Sequence, residues 1–595
     1  MNGGRAICIH GHFYQPPRED PWSGEIERQP SAAPYHDWNE RITAECYGPN
    51  TAARILDPAG RIEDIVDNFS RISFDVGPTL LSWLEEREPR IYRAIVASDR
   101  ESAKRFSGHG SAMAQAFHHT ILPLADERDR RTEVVWGIRD FEARFGRSPE
   151  GMWLPETAAD VETLETLADL GIRYTVLAPR QAARVRPMGG GSWTDVSEET
   201  LDTTRPYFAP LPSGARIALF FYDGAISRGI AFERLLDSAD ELVARLTGGG
   251  RDGLVHAATD GESYGHHHAH GDMALAAALS RIERGAEARL TNYGEHLERH
   301  PPRDEVEIVE RSSWSCVHGV GRWERDCGCR VAGGTQAWRA ELRRAFDWLR
   351  DEISGRYEAR ARELLLDPWK AREDAIALAV NGSVASETFF AWHARRPLSR
   401  GERGEILRLL ALQRNALRMY TSCGWFFDDV AGLEARQVIR YAARAIELAE
   451  QLFGEPLEGR FLEMLRDARG NSPELPDGAA VYERYVSSPG LRHAPHQEAR
   501  DPGRAMSRAV TGLAEGFEND PSDARLLEAW RKVVELSEGL PFPVPFWTAQ
   551  NVYFRIRESA ASPMKQKAAA GDPSAAAWVA EFDRLGGLLG FARPA

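Results

Sequence analysis

Lysine is almost missing from this chain: only five of its 74 basic residues are Lys, which reads as coding bias and not as function. A basic excess is missing as well. The net charge is −15, and this argues against a general surface for nucleic acid or anionic membrane, since both want a positive face. No apolar run approaches the ~20 residues that a membrane span needs. The N-terminus lacks a charged stretch followed by an apolar one, so export by the usual signal is not expected. Six cysteines in 595 residues make no disulfide framework, which fits a reducing cytoplasm. There is no internal repeat and no sustained heptad pattern.

What remains is ordinary globular material, 43% hydrophobic and 27% charged, too long for one core and expected to divide into two or three domains. Residues 1–295 alternate strand and helix signals. Strands are expected at 6–9, 72–76, 151–154, 172–177, 217–222 and 253–258, and helical segments at 51–56, 112–117, 133–145, 160–170 and 232–246. The glycine runs at 189–191 and 248–250 read as loops. Alternation of this kind signals parallel strands with crossover helices, and a parallel barrel is the economical architecture. From about Gln336 onward strands nearly vanish. Helical spacing recurs at 338–366, 404–419, 432–453, 505–517, 524–536 and 572–590, and the stretch 489–502 reads as a surface loop. The expected division is a barrel at 1–295, a helical domain at 296–480 and a helical extension at 481–595.

Three strand candidates finish in ionisable residues. Gly151-Met-Trp-Leu-Pro ends in Glu156; Gly253-Leu-Val-His-Ala-Ala-Thr runs into Asp260-Gly-Glu262; Ala6-Ile-Cys-Ile ends in His10-Gly-His12. Active sites of parallel α/β folds lie at the carboxyl ends of the strands. Taken alone, Glu156 also reads as a helix cap, a duty Thr157 or Asp160 is equally placed to fill. Three strands ending in His, Glu and Asp together point to an active site. If extension persists, Asp260 and Glu262 face the same side.

With these residues in hand, the chain resembles glycoside hydrolase family 57. His10-Gly-His12-Phe-Tyr-Gln15-Pro16-Pro17 is similar to the family's N-terminal block, with two residues inserted between His12 and Gln15. Phe117-His-His119-Thr-Ile-Leu-Pro123 is similar to its second block, Trp153-Leu-Pro-Glu156 to the nucleophile block, and Asp260-Gly-Glu262-Ser-Tyr-Gly265-His266 to the acid/base block. The resemblance implies a distorted (β/α)7 barrel followed by a mainly α-helical region that closes the cleft. It implies a retaining α-glycosidase or α-glucanotransferase of the α-amylase, 4-α-glucanotransferase or branching-enzyme type. Glu156 would be the nucleophile and Asp260 the general acid/base, with His119 in place of an active-site histidine. Trp314 and Trp323 would correspond to tryptophans that contact sugar. The remaining helical half, including Thr421-Ser-Cys-Gly-Trp425, resembles an uncharacterised C-terminal domain found in a subset of the family.

The chemistry asks for two carboxylates with different duties, Glu156 ionised and Asp260 holding a proton near neutrality. The expected substrate contacts are His10, His12, His119, Trp153, Glu262, His266, Trp314, His318, Trp323 and Trp425, the tryptophans because sugar faces stack on rings. The expected partner is an α-glucan or oligosaccharide, with no nucleic acid, membrane or cofactor. Two alternatives stand beside this. A metal-dependent polysaccharide deacetylase would use His10, His12 and the run His266-His-His-Ala-His270, yet no Asp-Asp follows the first strand. A non-catalytic glycan-binding protein would keep the barrel without turnover. Cys316, His318, Cys327 and Cys329 have the chemistry of a zinc site, but the reading preferred here is reduced, packed cysteines beside a sugar-binding loop, with no metal.

Overall fold

The computed structural model describes residues 4–248, 253–486 and 502–592. Gly249, Gly250 and all of the 489–502 loop except Pro502 lie outside the described residues. The chain divides into two compact units. The first comprises Met1–Gly48, Phe69–Gly271 and Ala278–His493; the second comprises Pro49–Asn68, Asp272–Ala277 and Ala494–Ala595.

In the first unit seven parallel strands form a distorted (β/α)7 barrel. They are β1 (Arg5–Phe13), β2 (Ser73–Val76), β3 (Ala112–Gln115), β4 (Met152–Trp153), β5 (Tyr174–Leu177), β6 (Arg216–Phe221) and β7 (Leu254–Asp260). One ladder runs β7-β1-β2-β3-β4, and a single parallel bridge, Gly151 to Tyr174, joins it to β5 and β6. The Asp223 N–H donates to the His256 carbonyl at 2.8 Å, bringing the end of β6 to β7. A flap of four further strands, with Tyr207–Pro210 antiparallel to β6, extends the second ladder and distorts the ring. The barrel strands are buried on both faces, as the β-branched and apolar run of β1 requires.

The apolar plug includes Ala6, Cys8, Met113, Trp153, Val176, Phe220 and Leu254. After Ile308 no strand follows among the described residues. The helical region packs α1 (Trp338–Leu364), α2 (Arg400–Arg418) and α3 (Leu433–Phe453) around a core of its own. On α1 the buried residues Trp338, Leu342, Ala345, Phe346, Leu349 and Ile353 recur at helical spacing, one apolar stripe facing inward.

The second unit joins helices between Pro502 and Leu588 to a hairpin of Ala53–Leu56 and Ile62–Val66. Ile62 enters the same core as Phe517, Trp530, Val552, Trp578 and Phe582, and pairs with Phe591.

Three local expectations change. Residues 112–117 are not helical: Ala112-Met-Ala-Gln115 is β3, because pairing on both sides in a buried sheet outweighs the helix propensity of Ala, Met and Gln. Residues 51–56 give a strand from Ala53, held by its hairpin partner. The single helix expected at 232–246 is a short turn at Leu235–Asp237 followed by a helix at Ala239–Thr247.

Candidate active site

Parity along β1 builds the site. Ala6 and Cys8 belong to the apolar plug, and with a side-chain period of two His10 and His12 continue on the same face. The ladders set Cys8 beside His256, His10 between Ser73 and Ala258, and His12 between Asp75 and Asp260. The barrel interior thus passes from apolar to ionisable toward the carboxyl ends of its strands. In the uppermost of these layers one imidazole stands between two aspartates on neighbouring strands.

Hydrogen bonds fix the protons in this layer. Asp75, fully buried, accepts from His10 Nε2 at 3.0 Å and from His12 Nδ1 at 2.8 Å. His12 Nε2 lies 3.2 Å from His119 Nε2, and His119 Nδ1 lies 2.6 Å from the Ser422 hydroxyl. Burial opposes a charge on His12, but Asp75, Asp260 and Glu262 together outweigh it and lift its pKa to about 9. Burial also opposes the Asp75 charge; His12 and His10 overcome it and hold that carboxyl low. Burial, then the His12 charge, pushes His119 well below the ordinary imidazole value. His12 is therefore the cation of the cluster, donating to Asp75 on one side and to neutral His119 on the other. Neutral His10 bonds Asp75 and the Ser73 hydroxyl from behind.

Asp260 ends β7. Its side chain is exposed to solvent yet stands deep among protein atoms, and this burial raises its pKa most. His12 works against the rise, Glu262, Glu156 and Asp75 add to it, and the carboxyl titrates at about 7. Glu262 is buried and accepts from the Tyr14 N–H at 3.2 Å and the Tyr47 hydroxyl at 2.5 Å. Extension does not persist past Asp260. The chain turns into a 3-10 helix at Gly261–Ser263, so Glu262 reaches the site by a turn and not by strand parity.

Glu156 sits just beyond β4 in left-handed backbone, φ 58° and ψ 21°, and Thr157 follows at φ 50°. Non-glycine residues there cost on the order of 1–3 kcal/mol each, the more so for β-branched Thr. Gln181 holds the turn. Its Oε1 accepts from the Thr157 hydroxyl and its Nε2 donates to the Thr157 carbonyl, both at 2.8 Å. Glu156 is not the cap of the next helix; Asp160 does that, accepting from Thr163 N–H. Instead, Oε2 of Glu156 accepts from Trp314 Nε1 at 3.0 Å and from the Ser315 hydroxyl at 2.5 Å. No protein group among the described residues bonds Oε1. Trp314 also packs edge-on against Trp153 and His12.

Several expected sugar contacts are placed elsewhere. Trp323 and Trp425 are fully buried in the helical core, where Trp425 donates to the Arg339 carbonyl, so neither offers a face to a ligand. Trp153 is likewise fully buried, a floor stacked at 4.5 Å under His10 and 5.2 Å under His12. His10 is sealed behind Asp75. His266 is half-buried and bonded to Glu45, while His268 bonds the Ala231 carbonyl and His270 takes left-handed backbone. That histidine run forms no helix with i, i+4 ligands, which removes its use in a deacetylase-like centre. His318 sits against Cys329, in a sulfur cluster.

Sequence reasoning passed over Asp75, Ser315, Tyr14, Tyr47, Gln181 and Ser422. Tyr14 stacks on His119 at 3.8 Å. Ser422, from the helical region, bonds His119 by its side chain and again through its own N–H. An acid inside the apolar run Ser73-Phe-Asp-Val was the one visible signal for Asp75.

Comparison with known proteins gives a family match and a likeness of fold. Residues 47–309 match the model of glycosyl hydrolase family 57, and residues 335–494 match a domain of unknown function, DUF3536. A 4-alpha-glucanotransferase of Thermococcus litoralis is 24% identical over 265 residues, 42% of this chain and 37% of that protein. An alpha-amylase of Pyrococcus furiosus is 24% identical over 255 residues, 41% of this chain and 36% of that protein. The chain thus spans little more than a third of the length of these curated relatives. Among solved structures, an exo-type maltose-forming amylase from Pyrococcus sp. ST04 shares the fold at a TM-score of 0.58 and 16% identity. That match covers 82% of this chain and 93% of the other.

Proposed function

This chain carries a glycosyl hydrolase family 57 domain, and on that premise we propose that it is a retaining enzyme acting on α-glucan or a related α-linked saccharide. Glu156 is the nucleophile: its Oε1 attacks the anomeric carbon while Trp314 and Ser315 hold Oε2. Asp260 gives its proton to the departing oxygen, and a covalent glycosyl-enzyme results. The observation that carries the reading is the pair itself, one carboxyl beyond β4 steadied by two donors and a second, raised to about 7, at the end of β7.

The same electrostatics fit the second step. The Glu156 charge is one of the causes that raise Asp260. Once Glu156 is esterified that charge is gone, the Asp260 pKa falls, and the group becomes the base that activates the acceptor. Water as acceptor gives hydrolysis; a sugar hydroxyl gives transfer or branching. His12, His119 and Glu262 bind and orient sugar hydroxyls, and the helical region closes over them through Ser422, which bonds His119. Neither chemical step calls for a metal. None of the six cysteines forms a disulfide, which supports a cytoplasmic setting.

Turnover on amylose, glycogen, maltooligosaccharides and α-galactosides, followed by the anomeric configuration of the first-formed product, tests the proposal. Retained configuration with a sugar trapped on Glu156 is expected. Inverted product, or a label on another residue, would refute it.

A further inference from the structure

Cys316, His318, Cys327 and Cys329 lie outside the chemistry just described. Their ligand atoms all fall within 4.8 Å of one another. The sulfur of Cys316 is 3.7 Å from that of Cys327 and 3.7 Å from that of Cys329, and Cys329 Sγ is 3.6 Å from His318 Nδ1. A tetrahedral ion with Zn–S of ~2.3 Å and Zn–N of ~2.0–2.1 Å would space two sulfurs by ~3.8 Å and a sulfur from a nitrogen by ~3.6 Å. All three observed spacings fall on those edges. Packed, reduced thiols account for the sulfur contacts alone. They do not account for an imidazole nitrogen turned to the same point.

A second observation concerns charge. Arg322 and Arg339 are buried beside the cluster, and neither forms an ion pair with a carboxylate among the described residues. Arg339 gives its donors to the carbonyls of Cys329, Phe426 and Phe427, and Arg322 lies over the Phe426 ring at 4.2 Å. Buried cations ask for a counter-charge. Three thiolates and one neutral imidazole around a divalent ion carry a net charge of −1, so an occupied site adds to the counter-charge that Asp428 and Asp326 already give Arg339.

We propose that Cys316, His318, Cys327 and Cys329 bind a structural zinc ion. Binding takes the protons of three thiols, leaves His318 neutral, coordinating through Nδ1, and changes no oxidation state. The four protein ligands close the coordination sphere, so this ion does no chemistry on substrate. Its effect is positional. Cys316 directly follows Trp314 and Ser315, the two donors to Glu156, and Cys329 is tied through Arg339 to the start of α1. The ion staples the excursion from 316 to 329 so that its first residues stay on Glu156.

The test does not depend on turnover. Full-length protein from zinc-supplemented culture, dialysed against a weak chelator, should retain one zinc per chain and release it to a mercurial reagent. Cobalt loading should give the intense visible bands of a tetrahedral, thiolate-rich site. The Cys327→Ser/Cys329→Ser double variant should lose both, and metal-free wild type should become open to trypsin at Arg325 or Arg330. Wild-type protein that holds no zinc and takes up no cobalt overturns the proposal, whether or not the variant folds. So does zinc that persists in the double variant. Unchanged trypsin resistance after metal removal overturns the stapling role.

Discussion

If Asp260 is the proton donor, the alkaline limb of kcat/KM should be its titration. The group is raised to about 7, and only its protonated form serves the first step, so activity is full below that value and falls as pH rises through it. Each further pH unit lowers the protonated fraction about tenfold, equivalent to ~1.4 kcal/mol of barrier, so the rate at pH 9 should be roughly 100-fold below its plateau. Asp260→Asn removes the limb together with the donor. Its residual rate on natural saccharides should lie ~10²–10⁴-fold below wild type and stay flat across this range. A glycosyl fluoride needs little protonation, so it should show no alkaline limb in formation of the intermediate, and the variant should still be glycosylated by it. Glu262→Gln keeps the acceptor for Tyr14 and Tyr47 but deletes a charge that raises Asp260, and should move the wild-type limb toward acid. The assay is initial rates in a constant-ionic-strength buffer series on both substrate types. A limb that persists in Asp260→Asn at the same midpoint, or fluoride and glucan rates that fall in parallel, would refute the assignment.

Glu156→Gln should fold as wild type yet lose turnover by several orders of magnitude; near-normal product formation in chromatographic assays would remove Glu156 from the mechanism. His12, raised from 6.5 to about 9, contributes stability that is full below pH 6.5 and lost as pH rises through 9, by up to about 3 kcal/mol. Urea unfolding at pH 6.5 and 9 should show this slope in wild type and a smaller one in Asp75→Asn; equal slopes would sink the reading. Trp323→Ala should cost about 3–5 kcal/mol of stability by leaving a hole in the helical core. Trp314→Phe should instead leave the thermal midpoint nearly unchanged while slowing turnover, because it deletes one donor to Glu156. Sugar affinity lost in a fully stable Trp323→Ala protein would contradict its burial.

The positions of Glu156 and Asp260 were legible because each follows an apolar run that must be a buried strand, and an acid at such an end is conspicuous. Asp75 was passed over although it lies in a strand that sequence had marked. Its meaning depends on the neighbour it meets, and pairing with β1 across more than sixty residues of chain is not a local signal. The four residues of β3 misled for the opposite reason, since their propensity is helical and only the sheet on both sides makes them extended. Trp153, Trp323 and Trp425 show a limit of composition: an indole suited to sugar stacking is equally suited to a core, and burial decides. The sulfur cluster was visible as spacing, but the tight Cys-x-Cys argued for packing until the imidazole was seen to turn inward.

The hairpin of Ala53–Leu56 and Ile62–Val66 carries a consequence for biogenesis. It emerges from the ribosome early, while the helices that cover Ile62 begin at Pro502. With about 440 residues still to be made, at ~5–20 residues per second, its apolar edge stays uncovered for roughly 20–90 s. The second unit is thus the last to finish, however early its first strand appears. A truncation that removes the C-terminal helices would strand the hairpin for good and leave its apolar residues exposed. Aggregation of such a product would therefore report an orphaned hairpin and not a misfolded barrel.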